Sequence, residues 1–548
     1  MRRSSPSVRS RRFGALLLVA LLVVPSLAPV AAATPGEQVA AAGTWADDAP
    51  PDPENDTIGW ENGVWHNESI HVDQSDGLND TELELFVARS MARVEYVREE
   101  EFDETVPVEI LSREEYRNQT EGRMGDRPEY NRWNDQVWEA MFVVGEDTGS
   151  AEAIGETQGT SVAGFYSPRD DEIKIITGTP EEPTVSNATL VHELVHALQD
   201  QQYDLTNETY TAHTQDGDLG VNGVVEGEAN YVESRYSERC GEEWNCVETP
   251  DSGGGDGGNP NLGVLLTIFN PYSDGPVYVN ELVQEGGWDA FEERFEDPPR
   301  SSEQIIHVTD EEPESMEFED TARNGWETYP DRGQNGSDTV GEASIFAMFW
   351  YQASQYGADT VNPRTLFDVE NEYDTYNYDA EPSNGWANDR VFPYRNGEGE
   401  DARNGYVWKT AWDTEADATE FNDAYLRMLE AHDARETDDG YYVVPDGPFE
   451  DAFLVVRDGR EVIIVNGPTV EDVEDIRPAL AAGTATSTPE GPTATPTDEN
   501  GGSGENGAKG GNDGTATSAN PTETTGAGFG FLVAVAAVGI AALLARRD

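Results

Sequence analysis

The segment Thr189–Gln199, which reads TLVHELVHALQ, contains an HExxH motif within a helical pattern of apolar residues. A spacing of four residues places His192 and His196 on one face of a helix, about one turn apart, so both imidazoles can reach one metal ion. Glu193 lies beside them, where its carboxylate can take a proton from a water molecule on that metal. The segment therefore predicts two metal ligands and a general base on one helix.

A catalytic zinc ion needs a third protein ligand in addition to the two histidines. The metzincin pattern requires glycine and histidine three and six residues after the second histidine, but Gln199 and Gln202 occupy those positions. His213 is a second option, although it lies in a polar stretch where no predicted helix positions it. The third option, a glutamate on a second predicted helix at residues 224–236, is the one that we favour.

Among the acidic residues of that second helix, we select Glu226 as the third ligand. Glu226, Asn230 and Glu233 share one stripe of the helix, beside apolar neighbours, whereas Glu228 points about 160° away. Asn230 is predicted to accept a hydrogen bond from the free ring nitrogen of a ligand histidine. For each of these glutamates taken alone, the alternative is an ordinary acidic residue on the surface. For Glu226, the neighbouring HExxH helix makes metal binding the favoured interpretation.

The two predicted helices carry a family resemblance. The run EGEA at residues 226–229 resembles the E-G-x-A ligand helix of gluzincin metallopeptidases, and HELVHALQDQ at 192–201 resembles a branch of uncharacterised members that includes haloarchaeal surface proteins. The resemblance covers roughly residues 85–470. It extends to VPVEILSREE at 106–115, the predicted hairpin at Gly164, Gly385-Trp386, Asp389-Arg390 and WDTE at 412–415.

The resemblance implies an α+β body with a mixed sheet and an active-site helix pair. It implies that His192, His196 and Glu226 bind Zn²⁺ and that Glu193 is the general base. The chain departs from the family in one respect, since the 29 residues between His196 and Glu226 are more than gluzincins typically have. An inserted loop that carries Asn207 and His213 would account for the difference.

The resemblance also implies a mechanism for peptide hydrolysis. Zinc lowers the pKa of its water toward about 7 and polarises the scissile carbonyl. Glu193 takes the proton and passes it to the leaving amine. By analogy with the family, an extended peptide substrate is expected along the strand at 172–176. A tyrosine or histidine should stabilise the oxyanion. The candidates are Tyr231, Tyr236 and His213, and a packing or surface role is favoured for each.

The composition indicates a salt-adapted protein. The chain has 108 acidic and 34 basic residues, and its net charge of −74 would destabilise a compact fold at low salt. At molar salt the Debye length falls to about 3 Å and most of this repulsion is screened. An acidic disordered protein is the alternative, but 12 Trp, 21 Tyr and 18 Phe residues argue against it. The absence of a basic face argues against nucleic-acid binding.

Both ends of the chain carry targeting signals. Residues 1–33 combine arginines, an apolar run and small residues, which is the layout of a secretory signal peptide. The run Ser10–Phe13 resembles a twin-arginine signal, and an uncleaved membrane anchor is the alternative. Residues 528–548 form an apolar stretch followed by two arginines, which predicts a transmembrane helix with the body outside the cell. This end resembles the haloarchaeal sorting signals that an archaeosortase replaces with a lipid, although Ala527 stands in place of their proline.

The remaining segments divide the chain further. Residues 34–80 are predicted to be a linker or pro-segment with little structure, and 482–527 to be a Thr-, Gly- and Pro-rich stalk. Residues 81–481 form one body, with a split near 265 or 360 as the alternative. Cys240 and Cys246 are predicted to form a disulfide, with paired metal ligands or free thiols as alternatives. Seven glycosylation sequons occur. They begin at Asn55, Asn67, Asn79, Asn118, Asn187, Asn207 and Asn335.

The sequence thus predicts a zinc metallopeptidase that acts on peptides or proteins and is anchored at the cell surface. The alternative is a binding or structural protein of the cell envelope, built on a metallopeptidase scaffold with little or no turnover. Glu193 favours the enzyme, because a scaffold could lose this carboxylate without losing its shape.

Overall fold

The computed structural model describes residues 52–116, 118, 127–159, 162–250, 260–399, 402–478 and 480. Within these ranges the chain is an α+β protein with a mixed sheet, an antiparallel sheet and a two-stranded hairpin, which confirms the predicted class. The predicted signal peptide, stalk and terminal helix lie outside the described residues. Within the described ranges we find no helix that combines the length and the apolar character needed to cross a membrane.

The helices and strands of the described residues are numbered here in chain order. The helices are α1 (Asp80–Arg98), α2 (Pro128–Ala140), α3 (Ser150–Gly159), α4 (Asn187–Tyr203), α5 (Gln215–Ser237), α6 (Leu262–Gly286), α7 (Trp288–Glu296), α8 (Ser302–Ile306), α9 (Gly341–Tyr351), α10 (Glu415–Ala431) and α11 (Val470–Ile476). The strands are β1 (Trp60–Glu61), β2 (Val64–Trp65), β3 (Val108–Ser112), β4 (Gly164–Ser167), β5 (Glu172–Thr177), β6 (Trp326–Thr328), β7 (Trp386–Asn396), β8 (Arg403–Trp412), β9 (Arg435–Glu436), β10 (Tyr442–Val443), β11 (Ala452–Asp458) and β12 (Glu461–Gly467).

The mixed sheet has the strand order β3-β5-β4, with β3 parallel and β4 antiparallel to β5. Ile173 and Ile175 of the central strand are buried in one core cluster with apolar residues of α1, α4 and α5. The predicted hairpin at 164–176 is present. Its turn includes Asp171, which has a φ of 53°. The sheet therefore forms a support on which the HExxH helix packs.

The segment before α1 packs onto the body, whereas a linker with little structure was expected. Strands β1 and β2 pair with each other, and Val64 and Leu78 are buried. The Gln74 amide exchanges two hydrogen bonds with the backbone of Val185, just before α4. Residues 52–80 thus gain order from apolar contacts and long-range hydrogen bonds that their Pro- and Asp-rich composition does not reveal.

Helix α6 was not predicted, because Pro271 and Pro276 lie inside it and proline normally interrupts a helix. It is largely buried and packs closely against α5. A Cβ atom added to Gly227 would lie 2.7 Å from the backbone of Gly275, so the two glycines permit the close approach. Gly227 of α5 thus has its close packing partner in α6. Residue 265, one of the proposed division points, lies within α6.

The antiparallel sheet has the strand order β6-β7-β8-β12-β11-β10-β9. One face packs against α2 and α10 in a core that is rich in tryptophan. The carboxylate of Asp389, which is fully buried, connects this sheet to α9. It accepts hydrogen bonds from the indole nitrogens of Trp386 and Trp408 and from the backbone nitrogens of Val340 and Gly341, at 2.9–3.2 Å. Burial raises the pKa of Asp389, and these four donors satisfy its oxygens.

Candidate metal centre

Helices α4 and α5 carry the predicted metal-binding residues. Helix α4 begins after Ser186, whose hydroxyl accepts a hydrogen bond from the backbone nitrogen of Thr189. Its apolar residues pack in the core between the mixed sheet and α1. This packing leaves His192 and His196 on the face toward α5, where they are 1% and 0% exposed.

Three side-chain atoms of these helices form a compact triangle. The Nε2 atoms of His192 and His196 are 3.1 Å apart, and they lie 3.2 and 3.4 Å from Oε2 of Glu226. A tetrahedral zinc site with bonds of about 2.0–2.2 Å has ligand-to-ligand distances of about 3.3–3.6 Å. The triangle therefore has the size of one face of such a site, and His192, His196 and Glu226 form a buried group that can hold a metal ion.

The outer nitrogens of both rings have acceptors. Nδ1 of His196 lies 2.8 Å from Oε1 of Gln199, and Nδ1 of His192 lies 3.5 Å from Oε2 of Glu233. The amide nitrogen of Gln199 donates to the backbone of Val225 and to Glu228, which turns its oxygen toward His196. This network assigns the proton of His196 to Nδ1 and leaves the Nε2 lone pair directed into the triangle.

The electrostatics of the triangle favour added positive charge. Burial raises the pKa of Glu226, but the two histidines outweigh burial and lower it to about 2. Burial lowers the pKa of His192, but hydrogen bonds to Glu226 and Glu233 and the surrounding carboxylates raise it well above its ordinary value. The carboxylates therefore stabilise positive charge on or between the two rings. A divalent cation bound in the triangle would provide such a charge.

Glu193 lies next to the triangle and is fully buried. Its Oε2 accepts a hydrogen bond of 2.9 Å from the backbone nitrogen of Tyr166, and its Oε1 has no hydrogen-bond partner among the described residues. Burial raises the pKa of this carboxyl to about 7. One oxygen is thus fixed by strand β4, and the other has no hydrogen-bond partner in the described part of the chain.

Strand order corrects the expected position of a bound peptide. The strand at 172–176 is β5, which is paired on both sides and cannot accept another strand. The edge strand next to Glu193 is β4. The backbone nitrogen of Tyr166 in β4 is directed toward Glu193, which identifies the side of β4 that faces the metal centre.

Asn230 has a different partner from the predicted one. Its amide nitrogen donates to the backbone oxygen of Glu226, at 3.0 Å, one turn earlier in α5. The short asparagine side chain folds back on its own helix. Gln199 and Glu233 contact the histidine rings instead. Gln199 follows His196 by three residues, so helical spacing could have identified it.

Glu228 is also different from the surface acid that the sequence suggested. It is buried, and it forms an ion pair with Arg98 of α1 in addition to its hydrogen bond from Gln199. A chain of contacts thus runs from α1 through Glu228 and Gln199 to His196. This series of contacts fixes the orientation of the His196 ring from outside the triangle.

The contacts described for the three residues proposed for the oxyanion do not involve the triangle. Tyr231 packs against Trp288 and Tyr373, and the hydroxyl of Tyr236 bonds to Arg93 and Asn187. His213 is exposed in the loop before α5. The structure instead places Tyr272 of α6 parallel to the ring of His192, with ring centroids 6.2 Å apart. Sequence reasoning missed Tyr272 because it did not predict α6.

Cys240 and Cys246 form a disulfide just beyond the end of α5. Both sulfurs border the core cluster that contains the HExxH helix. Arg93 of α1 lies over the ring of Trp244, 4.6 Å from its centroid, within the disulfide loop. The bridge therefore lies where α1 meets the end of the second metal-binding helix.

Comparison with known proteins matches residues 327–477 to a domain of unknown function, DUF8575. The match covers nearly all of the antiparallel sheet, together with α9, α10 and α11, and it excludes α4 and α5. No curated protein and no solved structure matches the chain. The chain is thus an α+β protein that contains a DUF8575 domain and, outside it, a buried His-His-Glu group that can hold a metal ion.

Proposed function

We propose that this protein is a zinc-dependent metallopeptidase that hydrolyses peptide bonds outside the cell. One observation carries the proposal. Two histidine nitrogens and a glutamate oxygen form a triangle with edges of 3.1–3.4 Å, and the carboxylate of Glu193 lies beside it with one oxygen unpartnered among the described residues. A purely structural metal site has no need of that carboxylate.

The donor set favours zinc. Two imidazoles and one carboxylate form the ligand set of gluzincin sites, and three protein ligands leave the fourth position of a tetrahedral ion open. When bound, the ion lowers the pKa of a coordinated water toward about 7 and polarises the substrate carbonyl. His192, His196 and Glu226 would hold it, with Gln199 and Glu233 orienting the rings.

Glu193 supplies the proton transfers. The backbone nitrogen of Tyr166 holds one carboxylate oxygen, so the other keeps a fixed position from which it accepts the proton of the attacking water. Burial raises the pKa of Glu193 to about 7, which suits a group that takes this proton and then gives it to the leaving amine. The edge strand β4 would align an extended peptide beside this carboxylate.

Tyr272 is the proposed donor to the oxyanion, because its ring lies parallel to that of His192 at the centre. Removal of its hydroxyl in Tyr272→Phe should lower kcat by about 10²-fold or more while zinc stays bound. Tyr231→Phe is the matched control, since Tyr231 packs in a different cluster. Equal kcat in the Tyr272→Phe variant and the wild type would remove Tyr272 from the mechanism.

A second function is favoured by the burial of the site. His192, His196, Glu193 and Glu226 are at most 2% exposed, as in a closed structural centre. In that case the protein is an envelope component whose metal ion stabilises the fold and whose turnover is negligible. The two functions differ in their need for Glu193.

The deciding experiment measures bound metal and the hydrolysis of a peptide library at molar salt. The proteins are the wild type, Glu193→Gln, Glu226→Ala and the exposed control Glu430→Gln. A peptidase requires that Glu193→Gln keeps zinc and loses hydrolysis and that Glu226→Ala loses both. Bound zinc with no hydrolysis by the wild type would establish the structural function, and hydrolysis that survives Glu193→Gln would exclude the mechanism.

The proposed location is the cell surface, with anchoring through the C-terminal apolar segment or a lipid that replaces it. The signals that support this location are those of residues 1–33 and 528–548. Fractionation of cells that produce the full chain, or the chain truncated before residue 528, tests the proposal. Anchoring predicts that truncation moves the protein from the membrane fraction into the medium.

A further inference from the structure

Tyr166 of strand β4 contacts helix α4 at two separate points. Its backbone nitrogen donates to Oε2 of Glu193 at 2.9 Å, and its hydroxyl donates to Oδ2 of Asp200 at 2.8 Å. Asp200 follows Glu193 by seven residues, so both side chains project from the same face of α4, about two turns apart. One residue of the strand therefore bridges two carboxylates of the metal-binding helix.

The contacts with α4 restrain a strand that has few other restraints. Strand β4 has four residues, Gly164–Ser167, and β5 is its only strand partner in the described part of the chain. A short edge strand opens more readily than a central one, because the sheet holds only one of its sides. A Cβ atom added to Gly164 would lie 3.1 Å from Cγ2 of Thr189, so β4 also passes close to α4 at its first residue. The position of β4 therefore depends on α4 as well as on the sheet.

The Asp200 carboxylate is itself held in place. Its Oδ1 accepts a hydrogen bond of 2.7 Å from the backbone nitrogen of Leu205, just beyond the end of α4. The chain leaves the helix at Asp204, which has a φ of 56°. One oxygen of Asp200 thus bonds to the turn after α4, and the other remains directed toward the Tyr166 hydroxyl.

The hydroxyl of Tyr166 is the donor in this contact. The side chain is 4% exposed, and burial together with the Asp200 carboxylate raises the pKa of the phenol above its ordinary value, so the phenol keeps its proton. Burial raises the pKa of Asp200, whereas the hydrogen bonds from Tyr166 and Leu205 favour its ionised form. A hydrogen bond to an ionised carboxylate is stronger than one between two neutral groups.

We infer that Asp200 is a positioning residue for the proposed base, because through Tyr166 it fixes the hydrogen-bond donor that holds the Glu193 carboxylate. The contacts form a closed loop that runs from Glu193 through the backbone and ring of Tyr166 to Asp200 and back along α4. Movement of the Tyr166 amide away from Glu193 would strain the bond between its hydroxyl and Asp200. The inference rests on the proposed function, since only an enzyme needs an oriented base.

Hydrogen exchange tests the contact without any need for turnover. Tyr166→Phe removes the hydroxyl and keeps the ring and the backbone nitrogen, and Asp200→Asn removes the charge of the acceptor. The backbone amides of residues 164–167, followed by mass spectrometry on the full chain at molar salt, should exchange about 10-fold faster in each variant. The reason is that β4 opens more easily once its second bond to α4 is weakened.

Peptide hydrolysis tests the consequence for Glu193. In both variants kcat should fall by about 10–100-fold, because a misplaced base transfers the proton less well. KM and zinc content should stay close to wild type, since the residues of the triangle are unchanged. The double variant should match either single variant, because both changes remove the same contact.

Tyr394→Phe is the matched control. It removes another buried hydroxyl that donates to a carboxylate, that of Asp320, at 2.7 Å in the antiparallel sheet. This variant should lower Tm and leave both kcat and the exchange of residues 164–167 unchanged.

The outcomes separate this inference from the proposed function. Wild-type exchange at 164–167 in both variants would overturn the inference, whether or not the wild type hydrolyses peptides. Faster exchange with wild-type kcat would overturn it too, because Asp200 would then support the fold alone. A wild type that hydrolyses no peptide would overturn the proposed function, and exchange would still decide whether Asp200 holds the amide that contacts Glu193. If Asp200→Asn does not fold, Tyr166→Phe carries the test alone.

Discussion

Two regions of the molecule differ in what identifies them. The metal-helix region, residues 80–306, contains the mixed sheet and every residue of the His-His-Glu triangle. The sheet region, residues 327–477, contains the antiparallel sheet and the DUF8575 match. The metal-helix region is distinguished by a few side chains, whereas the sheet region is distinguished by a domain match that spans almost all of it. Similarity to a known domain and the group that can hold a metal ion therefore lie in different parts of this chain.

The two regions nevertheless share an interface. Helix α9 belongs to the sheet region in sequence, but it packs against α6, the helix that carries Tyr272. The side-chain oxygen of Gln136 in α2 accepts hydrogen bonds from the backbone of Tyr394 and Gly405 in the antiparallel sheet. The sheet region can therefore act as a support for α6 and α9 without contributing a metal ligand.

The largest expected effect is on catalysis in the metal-helix region. Glu193→Gln removes the proposed proton acceptor while it preserves size, and kcat/KM should fall by about 10²–10⁴-fold. Zinc content and Tm should stay close to wild type, because the amide oxygen of the new side chain can still accept the hydrogen bond from Tyr166. Peptide hydrolysis and metal analysis on the same sample provide the check. A parallel loss of zinc would show that Glu193 supports the site structurally.

The next largest effect is on the stability of the sheet region. Asp389→Ala leaves four buried donors without their acceptor, which should reduce the free energy of unfolding by at least about 3 kcal/mol. Chemical denaturation at molar salt measures this loss. The folded fraction should still bind one zinc ion per chain, because the metal ligands lie on α4 and α5. Loss of zinc from the folded protein would show that the metal site depends on the sheet region.

A smaller effect distinguishes the two candidates for orienting a histidine ring. Gln199→Ala removes the acceptor for Nδ1 of His196, so zinc affinity should fall by about 10–100-fold. Asn230→Ala should leave the affinity unchanged, since the Asn230 amide bonds to its own helix. Zinc titration against a chelator of known affinity measures both variants. A larger loss of zinc affinity in Asn230→Ala than in Gln199→Ala would support the sequence prediction that Asn230 orients a histidine ring.

The last expected effect is a change in the pH dependence of stability. Burial, with the nearby carboxylates of Glu342, Asp413, Asp216 and Glu311, raises the pKa of Glu303 from 4.5 to about 9. Between these values the folded state retains a proton that the unfolded state releases, so this carboxyl stabilises the fold at low pH and loses that contribution as pH rises toward 9. Glu303→Gln should therefore lessen the fall of Tm from pH 5 to pH 9. Parallel Tm curves for variant and wild type would contradict the assignment.

The sequence predicted the three residues of the triangle because their relations are local. Residues four apart on a helix share a face whatever surrounds them, so His192 and His196 follow from their spacing. Glu226 required a second helix, but its place on a stripe beside apolar residues was again a property of that helix alone. The disulfide between Cys240 and Cys246 closes a short loop, which also makes it accessible to sequence reasoning.

Relations between distant segments were not predictable in this way. The edge position of β4 depends on which strands pair, and β5 has the same local pattern whether it is central or at an edge. Helix α6 contains two prolines, which local sequence rules treat as the end of a helix. Burial of α6 against α5 stabilises the helix despite these prolines. Glu228 reads as a surface acid until Arg98, 130 residues earlier, provides its partner.

The sequence by itself therefore determined the identity of the triangle, the carboxylate beside it and the α+β class. Tertiary structure alone decided what contacts those groups, namely Tyr166 on Glu193, Gln199 on His196 and Tyr272 beside His192. The physical reason is that helix periodicity is a short-range property, whereas strand order and contacts between separate segments depend on how the whole core packs.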